Sequence, residues 1–313
     1  MPVELADVQA AAERIRGHVH RTPVVTSATL DAELGAQVFV KCENLQKVGA
    51  FKARGACNAV MALDAAAASR GVVTHSSGNH AAALAYAARA RGIPCYVVMP
   101  ETAPKVKVLA VASYGAEVRF CKQSERQQVC DVWQAETGAV LVHPFENAFV
   151  IAGQGTAALE LLEQVPDLDV VIAPVGGGGL CGGTAVVVRA LLPGARMLAA
   201  EPKAVDDAAR SLASGVRQPA VVNPKTWGDG LMTGLGEPNF ELLMRHQVEV
   251  ITCEEDEIVA AARFFLERTK LVVEPSGATT LASIRTIADQ VRGKRVAMIV
   301  SGGNTDFAWL ARS

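Results

Sequence analysis

The feature that most constrains this 313-residue chain is a strand that runs into a block of glycine. Val170-Val171-Ile172-Ala173-Pro174-Val175 leads directly into Gly176-Gly177-Gly178-Gly179-Leu180-Cys181-Gly182-Gly183, and a helical pattern follows to Leu192. A strand that turns straight into a helix belongs to α/β architecture. Consecutive glycines there carry a large conformational-entropy penalty, so mere flexibility is a poor account of them. Glycine lets the backbone wrap closely round a ligand, and the free N–H groups of the next helix attract an anion. Gly177, Gly179 and Gly182 also satisfy the GxGxxG spacing, with Glu201 about 20 residues on, which is the dinucleotide fingerprint in outline. No Gly-Lys-Ser/Thr follows, so the loop is not a Walker A motif.

The same alternation runs through most of the chain. Short apolar runs at 71–74, 95–99, 117–121 and 139–142 alternate with helical periodicities at 79–91, 105–114 and 125–136. A second set follows, with strands at 169–173, 197–200, 248–252 and 295–300 and helices at 180–192, 205–214, 239–245, 254–269 and 277–291. Upstream lie helical spacings at 8–15 and 29–34, a strand at 38–40, and one helix continuing from Ala53 to Ala68. This pattern predicts two parallel-sheet α/β domains, each sheet covered on both faces. Residues 1–65 and 146–313 make the larger domain and residues 66–145 a smaller inserted one. Ligands are expected in the cleft between them, at the carboxyl ends of the strands.

Composition narrows the class. The formal net charge is −2 with both signs interspersed, which argues against nucleic acid or an anionic membrane as partner. No apolar run reaches the ~18 residues of a membrane span, and the N-terminus shows no signal-peptide pattern. Seven scattered cysteines without a CxxC pair read as free thiols in a reducing cytoplasm.

The anion loop needs a chemical partner, and Glu43-Asn44-Leu45-Gln46-Lys47-Val48-Gly49-Ala50-Phe51-Lys52-Ala53-Arg54-Gly55-Ala56 supplies one. Lys52 sits at a helix start, where the dipole disfavours a cation; that depresses its pKa and suits an amine meant to act as nucleophile or base. A small phosphate-bearing aldehyde explains loop and lysine together: the loop holds phosphate and Lys52 forms a Schiff base. Pyridoxal phosphate is that cofactor. Thr74-His75-Ser76-Ser77-Gly78-Asn79-His80 lies between a strand and a helix, with more polar groups than one helix cap needs, and suits the α-carboxylate of an amino acid. Ser301-Gly302-Gly303-Asn304 follows the last strand, where a hydroxyl can hydrogen-bond a ring nitrogen.

Together with Ile151-Ala152-Gly153-Gln154-Gly155-Thr156, these motifs resemble the serine racemase and serine/threonine dehydratase family of fold type II pyridoxal-phosphate enzymes, in the family's order over essentially the whole chain. The resemblance implies Lys52 as the Schiff-base lysine and base on one face of Cα, with Ser77 on the other. It implies cofactor contacts from Phe51, Asn79, Gly176, Gly177, Gly178, Gly179, Leu180, Gly230, Glu274 and Ser301. Substrate contacts are implied for Ser76, Ser77, Asn79, His80, Arg126 and Thr233, and a homodimer is the usual assembly.

The implied reaction is β-elimination from a β-hydroxy L-amino acid such as serine or threonine, giving a 2-oxoacid and ammonia, with racemisation as a side activity. If Arg126 faces the cleft, a second carboxylate and hence 3-hydroxyaspartate becomes the substrate. Glu201, the Val205 carbonyl and Asp207 resemble the family's divalent-cation motif, with oxygen ligands for Mg²⁺, Ca²⁺ or Mn²⁺. A nicotinamide-dependent oxidoreductase is the alternative from another class, resting on Gly177, Gly179, Gly182 and Glu201.

Overall fold

The computed structural model describes residues 2–76, 78–103 and 105–311. Ten strands appear in chain order: β1 (Val24–Val25), β2 (Gln37–Cys42), β3 (Val72–His75), β4 (Cys95–Pro100), β5 (Glu117–Cys121), β6 (Val140–Leu141), β7 (Val170–Pro174), β8 (Arg196–Pro202), β9 (Glu249–Cys253) and β10 (Arg295–Val300). They form a six-stranded sheet in the order β1-β2-β10-β7-β8-β9 and a four-stranded sheet in the order β5-β4-β3-β6. Every pairing is parallel except β1 with β2, where Val24 faces Lys41 and Val25 faces Val40 in an antiparallel edge that the sequence pattern does not predict. Val, Ile and Ala fill β7 and β10 because helices cover both faces of the sheet, and β7 is buried at every residue.

Three departures from the sequence reading have local causes. The helix expected from Ala53 to Ala68 is two, Lys52–Met61 and Ala65–Arg70, because the Asp64 side chain accepts from the Ala67 N–H and starts the second afresh. The helix expected at 277–291 begins earlier, at Pro275, and is interrupted at Ile287. A 17-residue helix, Ala148–Gln164, lies between β6 and β7, where the sequence pattern shows a motif but no helical period. It is buried along most of its length, so it lacks the polar face that gives an amphipathic helix its period.

The strand order places the site. From β7 the chain continues to β8 and β9 on one side, while β10 and β2 lie on the other. The crossovers therefore diverge between β7 and β10, and the loops leaving their carboxyl ends frame a crevice, the switch point at which α/β sheets bind ligands. All seven cysteines are buried and free of disulfides. No helix among the described residues is long and apolar enough to cross a membrane.

Candidate active site

Loops from the carboxyl ends of β2, β3, β5, β6, β7 and β10 meet in one cavity of about 660 Å³. Lys52 opens the helix Lys52–Met61 and reaches into it. Its Nζ donates to the Pro144 carbonyl at 2.7 Å and lies 5.1 Å from the centre of the Phe51 ring. Burial brings the ammonium down to about 8, so about a tenth is the free amine at pH 7, far more than for an ordinary lysine.

Opposite stands the glycine loop. Gly178 caps the helix Gly179–Leu191 at φ +88°, a left-handed conformation that a larger residue resists. A Cβ would meet the Phe145 ring at 2.3 Å on Gly177, Asn239 Cβ at 2.6 Å on Gly178 and Leu231 Cα at 2.9 Å on Gly176. The Asn239 amide donates to the carbonyls of Gly177 (2.7 Å) and Phe145 (2.8 Å), which ties the glycine loop to the segment after β6. The N-terminal N–H groups of Gly179–Leu191 open toward the cavity, a cradle for an anion.

The remaining walls are polar and tightly held. Ser301, at the end of β10, is 3% exposed, and its carbonyl accepts the Phe51 N–H at 3.0 Å. Asn79 donates to both Glu274 carboxylate oxygens, at 2.9 and 3.2 Å, and accepts from Asn304 at 2.9 Å. The His80 Nε2 lies 2.9 Å from the Val142 carbonyl and must donate to it, so Nδ1 faces inward as an acceptor. Burial and the Lys52 charge pull this imidazole down to about 3 and keep it neutral. Ser76, Gly230 and Thr233 also line the cavity, as does Arg126. Arg126 Nε and His75 Nε2 are buried and lack a hydrogen-bond partner among the described residues. Burial, then the Arg126 charge, lowers the His75 pKa.

The cavity thus gathers every site residue expected from the sequence, apart from Ser77, which lies outside the described residues, and Glu201, Val205 and Asp207, which stand elsewhere. Sequence reasoning missed His75 as a wall, Pro144 as acceptor of the lysine, Phe145 and Asn239. The available signal was position: His143-Pro144-Phe145 directly follows β6, at the same sheet edge as the polar loop after β3.

At the end of β8, the Glu201 oxygens accept the N–H groups of Ala208 (2.8 Å) and Ala209 (2.9 Å), and Asp207 accepts from Leu235 N–H at 2.8 Å. Burial, helped by the charges of Asp207 and Asp206, raises Glu201 to about 8. Among the described residues, no group of three or more His, Cys, Asp or Glu side chains gathers as a metal cluster. The Glu201 carboxylate is engaged by backbone, so the acidic arm of a dinucleotide fingerprint is not free to take a ribose.

A family model described as pyridoxal-phosphate dependent enzyme matches residues 15–302. The chain is 46% identical over 315 residues to a serine racemase of Dictyostelium discoideum, covering 99% of this chain and 97% of the relative. It is 48% identical over 304 residues to a beta-hydroxyaspartate dehydratase of Paracoccus denitrificans, covering 96% of each. The structure of maize serine racemase superposes with a TM-score of 0.95 at 43% identity, covering 100% of this chain and 97% of that one.

Proposed function

Because this chain belongs to the family of pyridoxal-phosphate dependent enzymes, we propose that it is an ammonia-lyase acting on β-hydroxy L-amino acids such as serine and threonine. One observation carries the reading: a partly buried lysine whose pKa is lowered toward neutrality faces a glycine cradle across one cavity. The residues fit the cofactor. The cradle at Gly176 to Leu180 suits its phosphate, Lys52 its aldehyde, Ser301 its ring nitrogen, and Phe51, Asn79, Gly230 and Glu274 its ring edges.

When bound, pyridoxal phosphate supplies the electron sink that acidifies an amino acid's α-proton. Lys52 takes that proton as general base, helped by a pKa near working pH. Ser76, Asn79, His80 and Thr233 orient the substrate, and neutral His80 adds no charge beside Lys52. The β-hydroxyl then leaves as water, taking up a proton, and the enamine released tautomerises to an imine that a second water hydrolyses to a 2-oxoacid and ammonia. Ser77 is assigned to the opposite face of Cα, where it supports racemisation. A nicotinamide reaction gains nothing from these residues, since Glu201 is held by backbone N–H groups.

A second reading rests on Arg126 and His75. Two unpaired nitrogens on the cavity wall favour a substrate with a second carboxylate, which points to 3-hydroxyaspartate. Glu201, Asp207 and the Val205 carbonyl are the oxygens proposed for a divalent cation, which would share or replace the backbone N–H groups that now hold both carboxylates and relieve the neighbouring negative charge that, with burial, pushes them upward. Residues 66–145 are taken as the smaller domain, and the assembly as a homodimer in the cytoplasm.

The test is a visible absorbance band that borohydride bleaches and that Lys52→Ala removes, followed by an oxoacid assay across L-serine, L-threonine and the 3-hydroxyaspartates. A colourless protein that pyridoxal phosphate does not restore would sink the proposal. A metal-dependent rise in Tm, lost with EDTA and in Glu201→Gln, checks the cation.

A further inference from the structure

The helix that delivers Lys52 has no cap of its own: Phe51 stands at its N-cap without a side-chain hydrogen bond. Two residues after Lys52, Arg54 is fully buried, and its guanidinium donates to Glu43 at 2.8 Å through both Nε and Nη2. It also donates to Glu160 at 2.7 Å and 2.8 Å, to Thr156 at 3.2 Å and to the His20 carbonyl at 3.3 Å. Glu43 directly follows β2, while Thr156 and Glu160 belong to the helix Ala148–Gln164, which begins just after Pro144. The same fork therefore ties the lysine helix to the sheet and to the segment whose carbonyl receives Lys52 Nζ.

We propose that Arg54 is a positioning residue for Lys52, fixing the rotation of their shared helix through its double clamp on Glu43 and Glu160. Residues i and i+2 lie roughly on opposite sides of a helix, so Arg54 anchors one side while Lys52 works on the other. For a side-chain tip about 6 Å from the axis, a rotation of about 10° moves it by about 1 Å. A misplacement of that size costs on the order of 10²-fold in rate. Close packing at Gly55, where a Cβ would meet Gln154 at 2.5 Å, sets the distance of the helix from its neighbour. Asn58, which donates to the Phe149 carbonyl at 2.7 Å, ties its later turns, while the planar fork holds the twist of its first turn.

The inference rests on Lys52 being the Schiff-base lysine, and the experiment separates the two. Pyridoxal phosphate with borohydride, read by peptide mass spectrometry, must first label Lys52 in the wild-type protein; if it does not, the functional reading itself falls. Arg54→Lys keeps the charge but loses the planar fork. It is expected to lower kcat about 100-fold with KM within about threefold. It should also slow reductive labelling of apoprotein Lys52 by pyridoxal, which lacks the phosphate, and shift the pH midpoint of that labelling. Lys41→Met is the control: Lys41 donates to Glu160 at 2.8 Å in the same buried network but stands on β2. It should lower Tm while leaving kcat and the labelling midpoint in place. If Arg54→Lys does not fold, Glu160→Gln takes its place with the same expectations. Unchanged labelling and kcat in Arg54→Lys, or an equal loss in Lys41→Met, would overturn the role.

Discussion

Alanine at Gly177 tests the cradle most directly. Its Cβ would stand 2.3 Å from the Phe145 ring, whereas carbon atoms pack at about 3.5–4.0 Å, so the ring must retreat by more than about 1 Å. It cannot do so freely. The Phe145 carbonyl is held by Asn239 at 2.8 Å, and the ring packs edge-on against His143 at 4.6 Å. Overpacking of this kind costs about 1–3 kcal/mol. If that strain falls on the cofactor-binding conformation, affinity drops about 5- to 140-fold, at 1.4 kcal/mol per decade. Gly179→Ala is the internal comparison: its nearest contact is Phe145 Cβ at 3.3 Å, and a shift of a few tenths of an ångström relieves it. An absorbance titration of each apoenzyme with pyridoxal phosphate gives the affinities. We expect a clear deficit for Gly177→Ala and less than about a threefold change for Gly179→Ala. Equal affinities would refute the assignment of the steric limit to Phe145.

Three further outcomes are expected. Lys52 has its pKa lowered in the folded state from 10.5 to about 8, so between those values the unfolded chain binds more protons and stability rises with pH. Lys52→Met should therefore stabilise the apoprotein by about 3 kcal/mol at pH 7, with the gain fading toward pH 10.5 in denaturant titrations; a pH-independent difference would contradict this. Arg126→Leu should cut kcat/KM for 3-hydroxyaspartate about 10- to 100-fold, a charged hydrogen bond's worth, while serine turnover changes little; parallel losses would remove Arg126 from the substrate's distal end. Ser77→Ala should abolish D-serine formation from L-serine while ammonia release continues, and persistence of racemisation would exclude Ser77 from that step.

The sequence was most readable where chemistry demands unusual residues at strand ends. Four glycines after β7, polar clusters after β3 and β10, and a lysine opening a helix each violate ordinary propensity, and each contributes residues to the cavity. The opaque parts obey propensity too well. Ala148–Gln164 is buried on nearly every face, so it shows no period, and its glycines resemble breakers although Gly153 marks a crossing where a Cβ would lie 2.6 Å from Gly55 Cα. Pro144 and Phe145 carry no motif, because one contributes a backbone carbonyl and the other a ring edge. Glu43 and Arg54 were visible as motif letters, but their partner Glu160 lies more than a hundred residues from Arg54 and only the fold joins them.

The seven thiols have a practical meaning. Each is buried, and burial raises every one above its ordinary pKa, to about 12 at Cys42, Cys57, Cys95 and Cys253. Thiol reagents need an exposed thiolate, so the native chain is nearly silent toward maleimide at neutral pH. A single cysteine placed at an open position such as Val222, 84% exposed, would then be the one handle for a fluorophore or spin label, with no native cysteine to remove.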